Sequence, residues 1–413
     1  MASTAPQPPP LDEGIAELLK KFCSESLDNY QITVRGGNAK GEGFLGEMTF
    51  LEVRSKSTGE ELHMIVKCVR PSGSEDTKKL MTSSYLTEIR YYTEILPALV
   101  DFQKEFSGVR LLDNFPKCFA SIKDLGREKL ALVNLVKAGY EMHPKPRPFD
   151  FPTVVKVFKT YAEFHAASYA LKHHRRERFL ELSKNLPNNW ILINNNSSMM
   201  GKFAEHFFGK VKGFLEDEGE DKISKKFDKY VTNSLNVFIE SCTYDGPDGV
   251  FLHGDCWSNN MMFKYNASRE VEHIKLIDFQ LGFVAPPVLD LSYSFYAGAD
   301  QQQLDRLDEL LDIYHTELGE NLRKYGCDLN DIYPMETLKA DWRRHCRFAM
   351  IMGLMVWVTK LATDFTDMPT VNELMDGTTD PDDFEDYGIK FDVEEYRKRS
   401  LSLVRHMYER DLL

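Results

Sequence analysis

In the stretch FLHGDCWSNNMMF (251–263) an apolar run is broken by His253, Asp255, Asn259 and Asn260 and then resumes. Buried polar groups cost free energy unless they are paired, so these side chains must find partners or line a cleft. Asp255 and Asn260 stand five residues apart, and Asp278, in the apolar stretch HIKLIDFQ (273–280), lies 23 residues beyond Asp255. Two carboxylates and an amide oxygen are hard oxygen ligands, better suited to Mg²⁺ and an associated phosphate than to zinc. Phosphoryl transfer uses such a set: one carboxylate orients and deprotonates the attacking hydroxyl, while an Asn and a second Asp hold the metal. A rival reading makes Cys256 a nucleophile beside His253, and the plainest one is two ordinary strands with polar turns. HxDxxxxN followed by an apolar-flanked Asp agrees at many positions and favours phosphoryl transfer over both.

That chemistry makes demands elsewhere in the chain. One is a glycine-rich turn between two early strands, and GEGFLG places Gly41, Gly43 and Gly46 in a G-x-G-x-x-G pattern. The EMTFLEV that follows alternates, which fits a hairpin lid over ATP phosphates better than a dinucleotide-binding turn into a helix. A plain Gly-rich hairpin is the simpler alternative. A second demand is a lysine on the third strand. Lys67 is the only charge of HMIVKCV and needs a partner there, unless it points from the strand end into solvent. The third is a glutamate on the next helix to pair with it. Glu88 shares a face with Tyr85, Ile89 and Tyr92 at helical spacing and is chosen over Glu94. Finally, KLALVNLV (129–136) reads as the last front strand, with the backbone of Asn134 to Val136 placed by position alone to meet adenine.

The elements around these residues follow from patterning. Residues 1–10 are Pro-rich and read as a disordered tail. An amphipathic helix (Ile15, Leu18, Leu19, Phe22) precedes two hairpins built from YQITV, EMTFLEVRSK and ELHMIVKCV, which predict an antiparallel sheet. A helix over about 77–96 should be stopped by Pro97, and FPKCFASI and KLALVNLV add strands. Helices dominate after the Pro-rich loop at 143–152. The prediction is an α+β, bilobal molecule: a small β-rich front unit over 11–136, a larger mostly helical rear unit over 137–413, and a cleft between them.

With 51 basic and 64 acidic residues the formal charge is −13, which argues against a nucleic-acid partner. No polybasic run offers a membrane-surface site, and the acidic stretch 376–388 reads as a solvated loop. Seven cysteines without a CxxC pair fit a reduced, cytoplasmic protein. MASTAPQPPP does not read as a secretory signal, so the N-x-S triplets at Asn195, Asn196 and Asn266 are taken as chance. FAMIMGLMVWV (348–358) is too short to span a bilayer and reads as a buried helix.

HGDCWSNN together with LIDFQ, the helix YLTEIRYYTEILP, and YAEFHAAS (161–168) resemble the ecdysteroid kinase-like proteins of insects. Those belong with aminoglycoside phosphotransferases and choline kinases in the protein-kinase-like fold. The resemblance implies ATP and Mg²⁺, Asp255 as catalytic base, Asn260 and Asp278 as metal ligands, and Lys67 with Glu88 as the phosphate-positioning pair. It also implies that His253 braces the catalytic loop, that Asp290 holds that loop's backbone from behind, and that His165 simply packs in the rear core. Asn134 departs from the acidic residue that relatives often carry at the hinge, and the strict glycine triplet is not a general requirement of the family. Cys256 then reads as a bystander.

A protein acceptor is disfavoured, because the loop reads His-Gly-Asp, DFQ replaces DFG, and only twelve residues separate Asp278 from Asp290. The expected acceptor is a small-molecule alcohol. Phe295, Tyr296, Trp342, Phe348, Met350, Met352, Met355 and Trp357 form a stripe that reads first as core. If part of it lines the acceptor site, an ecdysteroid, phenol or glycoside fits better than choline. A choline/ethanolamine-type kinase and a catalytically silent pseudokinase are the alternatives, the latter disfavoured because every required side chain is present.

Overall fold

The computed structural model describes residues 11–23, 25–35, 47–69, 74–196, 198–364 and 388–413. Its front carries five antiparallel strands: β1 (Tyr30–Arg35), β2 (Glu47–Ser55), β3 (Glu61–Cys68), β4 (Cys118–Ile122) and β5 (Lys129–Val133). Their order is β1-β2-β3-β5-β4. Alternation along the strands gives the sheet two unlike faces. Leu51, Val53, Met64, Val66 and Ala131 bury on one face against helix α1 (Glu13–Phe22), whose Ile15, Leu18 and Leu19 close a small core. Asp12 caps α1 by accepting from the Ile15 amide at 3.0 Å, satisfying one of the free N–H groups of the first turn. On the other face Lys67 pairs in register with Met48 of β2 and Leu130 of β5, and that face looks toward the rear of the molecule.

Helix α2 (Glu75–Arg90) starts at a Ser74 cap that accepts from the Thr77 amide. It carries Tyr85, Glu88 and Ile89 as buried residues, and Tyr92, also buried, follows in the next turn. Pro97 does not stop the helix, and here the expectation fails. The backbone passes through one π-helical turn, Tyr91–Ile95, and continues as α3 (Leu96–Gln103) with Pro97 in its first turn. The Leu96 amide bonds the Tyr91 carbonyl, five residues back. A π-turn re-registers the ladder ahead of the proline, and proline is tolerated in a helix's first turn, where its missing N–H is needed least.

Behind the sheet the chain is mostly helical. Helix α4 (Phe151–His174) packs on the Leu307–Lys324 helix, and the Met335–Leu361 helix packs on Val288–Tyr296. The whole run 348–358 is buried within the Met335–Leu361 helix, and Phe295, Tyr296, Trp342, Phe348 and the methionines of the stripe belong to the rear core. Among these helices lie β6 (Glu141–Met142), β7 (Val250–Phe251), β8 (Met261–Tyr265), β9 (Val271–Leu276) and β10 (Val284–Ala285). β8 and β9 form an antiparallel hairpin, and β7 pairs with β10. These two pairings carry residues 252–260 and 277–283 to one edge. The result is an α+β, bilobal architecture. Among the described residues no helix is long and apolar enough to cross a membrane. Residues 1–10, Gly41, Gly43, Gly46 and most of the acidic stretch lie outside the described residues.

Candidate active site

The loop after β7 is built around Asp290, which lies fully buried on the Val288–Tyr296 helix. Its carboxylate accepts from the His253 amide at 2.8 Å, the Gly254 amide at 2.9 Å and the Cys256 thiol at 3.0 Å. Burial works against ionisation, but hydrogen bonds from His165 and Cys256 hold the Asp290 carboxyl below its ordinary range. His165 therefore does more than pack: it lies 3.3 Å from Asp290 and 3.0 Å from the Tyr314 hydroxyl. Cys256 is fully buried, and burial pushes its thiol well up, with Asp290 adding to the shift. A thiol in that state is a poor nucleophile. Cys256 serves as a hydrogen-bond donor to Asp290.

His253 donates from Nε2 to the Ile277 carbonyl at 2.8 Å, and its Nδ1 accepts from the Asp255 amide at 3.2 Å. The two bonds define one neutral tautomer, and burial lowers the imidazole's basicity in the same sense. His253 thus ties residues 252–260 to the strand end that carries Asp278. Gly254 has φ +83, and a Cβ there would sit 2.0 Å from the Leu281 carbonyl oxygen. Only glycine permits that close approach of two backbone segments.

Asp255 stands at the centre. Its Oδ2 accepts from Asn260 Nδ2 at 2.7 Å and its Oδ1 from the Tyr293 hydroxyl at 3.1 Å. Burial and the nearby charge of Asp278 push the carboxyl up to about 7, against the hydrogen bonds of Tyr293 and Asn260. The amide nitrogen of Asn260 is spent on Asp255, so its amide oxygen is the end available to a cation. Asp278 holds φ 68 and ψ 65, a left-handed conformation rare outside glycine. That turn aims its carboxylate at Lys67, whose Nζ donates to Asp278 Oδ1 at 2.9 Å and to Glu88 Oε2 at 2.7 Å. Burial disfavours the Lys67 cation, but Asp278 and Glu88 outweigh it and hold the ammonium well above its ordinary range. The all-oxygen set of Asp278 and Asn260 fits Mg²⁺.

Phe279 locks the two halves together. It stacks on Tyr91 with centroids 5.1 Å apart, meets Tyr92 edge-on at 5.7 Å, and lies 4.6 Å from the His253 ring. The Tyr91 hydroxyl donates to the Leu252 carbonyl at 2.7 Å. The π-turn thus supplies aromatic contacts between the Glu88 helix and the loop of Asp255.

The structure brings Lys67, Glu88, His253, Asp255, Asn260, Asp278 and Asp290 into one constellation. Asn134 and Val136 lie apart from it, at the far end of the same sheet face. There a cavity of about 310 Å³ is lined by Phe50, Glu52, His63, Asn134, Val136 and Lys137, among others. The Asn134 amide donates to the His63 carbonyl and its side chain accepts from the Lys137 amide, so neither group is turned toward a ligand. Sequence reasoning missed Tyr293 and Trp190, whose indole N–H donates to the Gly254 carbonyl at 2.8 Å. Tyr293 was within reach, since it follows Asp290 by three residues and so shares its helix face. Trp190 carried no local signal.

A Lys–Glu pair joined to two carboxylates in a bilobal fold is the arrangement of a kinase-like phosphotransferase. The chain belongs to the ecdysteroid kinase-like family, whose family model matches residues 40–327. Among solved structures it is similar to a choline kinase from Cryptosporidium parvum Iowa II at 10% sequence identity, with 97% of each chain covered and a TM-score of 0.40. No curated protein matches the chain.

Proposed function

We propose that the protein transfers the γ-phosphoryl group of ATP, with Mg²⁺, to a hydroxyl of a small apolar alcohol, an ecdysteroid first and a phenol or glycoside next. The observation that carries this reading is the pair of carboxylates on adjoining loops: Asp278 tied to Lys67, and Asp255 held between Tyr293 and Asn260. In this reading residues 11–136 bind the nucleotide and residues 137–413 carry the acceptor side.

Lys67, fixed by Glu88, grips the phosphates. Asn260 and Asp278 hold the metal, which when bound neutralises phosphate charge. Asp255 orients the acceptor hydroxyl and takes its proton as the new O–P bond forms and the bond to the ADP oxygen breaks. Tyr293 and Asn260 keep the Asp255 carboxylate in a single orientation. His253 and Asp290 set the loop without touching substrate. Of the segment 134–136, Leu135 and Val136 present backbone groups near adenine, the Asn134 amide being bonded to the His63 carbonyl, and Gly41, Gly43 and Gly46 cover the phosphates. Incubating purified protein with Mg-ATP and a panel of ecdysteroids, plant phenols, glycosides and choline tests the proposal. It expects an apolar alcohol to gain one phosphoryl mass, with choline unchanged. ATP binding without transfer to any acceptor would instead favour a pseudokinase.

A further inference from the structure

Arg399 lies on the Val393–Glu409 helix, away from the phosphotransfer constellation, and its side chain is 9% exposed. One nitrogen, Nη2, bonds Glu395 Oε1 at 2.6 Å. The other two, Nε and Nη1, are buried and have no hydrogen-bond partner among the described residues. The guanidinium carbon sits 4.0 Å from the ring centre of Trp357. Stacking of that kind satisfies the face of the guanidinium and leaves its N–H bonds, which lie in the plane, without acceptors. Unmade hydrogen bonds on a buried charged group are costly, so this arrangement calls for a ligand.

A cavity of about 280 Å³ adjoins these donors. Tyr296, Leu304, Trp357 and Leu403 give it apolar walls, and Ser402 and Lys398 also line it. A second buried cation crowds the same ring: Lys360 Nζ is 4.0 Å from the Trp357 ring centre and donates to the Ala297 carbonyl at 2.9 Å. Burial and the charge of Arg399 push the Lys360 ammonium down to about 7. Of the two acidic residues at the cavity, Glu395 is engaged by Arg399, and Asp300 caps its own helix by accepting from the Gln302 amide at 3.0 Å. The unmet need of the cavity is for hydrogen-bond acceptors and negative charge.

We propose that this cavity is a binding site for a small organic anion, a carboxylate or phosphate monoester. Its oxygens accept the Arg399 donors that Glu395 leaves unused, and its apolar body lies against Tyr296, Leu304 and Leu403. The inference is independent of the acceptor assigned above, since it rests on residues outside the phosphotransfer constellation.

Isothermal titration of the full chain with phenyl phosphate, benzoate and neutral benzyl alcohol tests it. At least one anion should bind, benzyl alcohol should bind at least about tenfold more weakly, and Arg399→Gln should weaken the anion by about tenfold or more. Comparing the two anions distinguishes the phosphate from the carboxylate source. Glu395→Gln removes the carboxylate charge that competes for Arg399 and should tighten binding, which keeps the proposal testable should Arg399→Gln fail to fold. Phosphate held only in the Lys67 cleft would be indifferent to both variants. That indifference would overturn the proposal, as would the absence of binding by either anion or equal binding of benzyl alcohol.

Discussion

The hydroxyl of Tyr293 donates to Asp255 Oδ1 at 3.1 Å, from a helix that three residues earlier presents Asp290 to the same loop. One short helix therefore sets both the backbone of the loop and the side chain at its centre. In the proposed mechanism Tyr293 is a positioning residue, and its removal should leave nucleotide affinity intact. Tyr293→Phe should lower kcat by about tenfold with little change in KM for ATP. Because that hydrogen bond holds the Asp255 carboxyl down, the acidic limb of the pH–rate profile should move to higher pH. A merely structural loss would leave the profile where it is.

The raised Asp255 carboxyl has a consequence for stability. Its folded value, about 7, lies above its ordinary 3.8, so between those limits the folded protein binds more protons than the unfolded chain. Stability then falls as pH rises from about 4 to about 7. Asp255→Asn removes that penalty. Measured without Mg²⁺, the variant's melting temperature should exceed that of the native protein by more at pH 8 than at pH 5. A difference that stays constant with pH would contradict the assignment.

Lys67 is the cation that lets the buried Glu88 and the partly exposed Asp278 share one site. Lys67→Met should reduce phosphoryl transfer at least about a hundredfold, by loss of phosphate positioning. It should also destabilise the fold, most at high pH, where two carboxylates are left without a counter-charge. Differential scanning calorimetry across pH reads the second effect separately from the first.

Gly254 meets two demands at once, a positive φ and a Leu281 carbonyl so close that a Cβ would lie 2.0 Å from its oxygen. Gly254→Ala should cost roughly 2 kcal/mol or more of stability and displace the Asp255 loop. Chemical denaturation measures the first. Loss of turnover that outlasts correction for the unfolded fraction measures the second.

Much of the constellation was legible because its parts are local. The run of polar residues inside FLHGDCWSNNMMF exposes Asp255 and Asn260, and the isolated charge of Lys67 announces a partner, which helical spacing identifies as Glu88. What stayed hidden depends on long-range packing. Pro97 reads as a helix stop because the rule is local, whereas the π-turn that circumvents it brings Tyr91 and Tyr92 against Phe279. His165 and Cys256 both read as inert, and only the fold shows that each meets Asp290. Arg399 and Trp357 are 42 residues apart in sequence, and no periodicity links them.

The central claim is that Asp255 activates a small-molecule hydroxyl for phosphoryl transfer from ATP. Its most direct test is to assay the native protein and Asp255→Asn side by side, with Mg-ATP and the acceptor that gains a phosphoryl group, while measuring ATP binding by titration. The account predicts that transfer is lost in the variant, by at least about a thousandfold, with ATP affinity changed by less than about threefold. Near-native transfer by Asp255→Asn would contradict it.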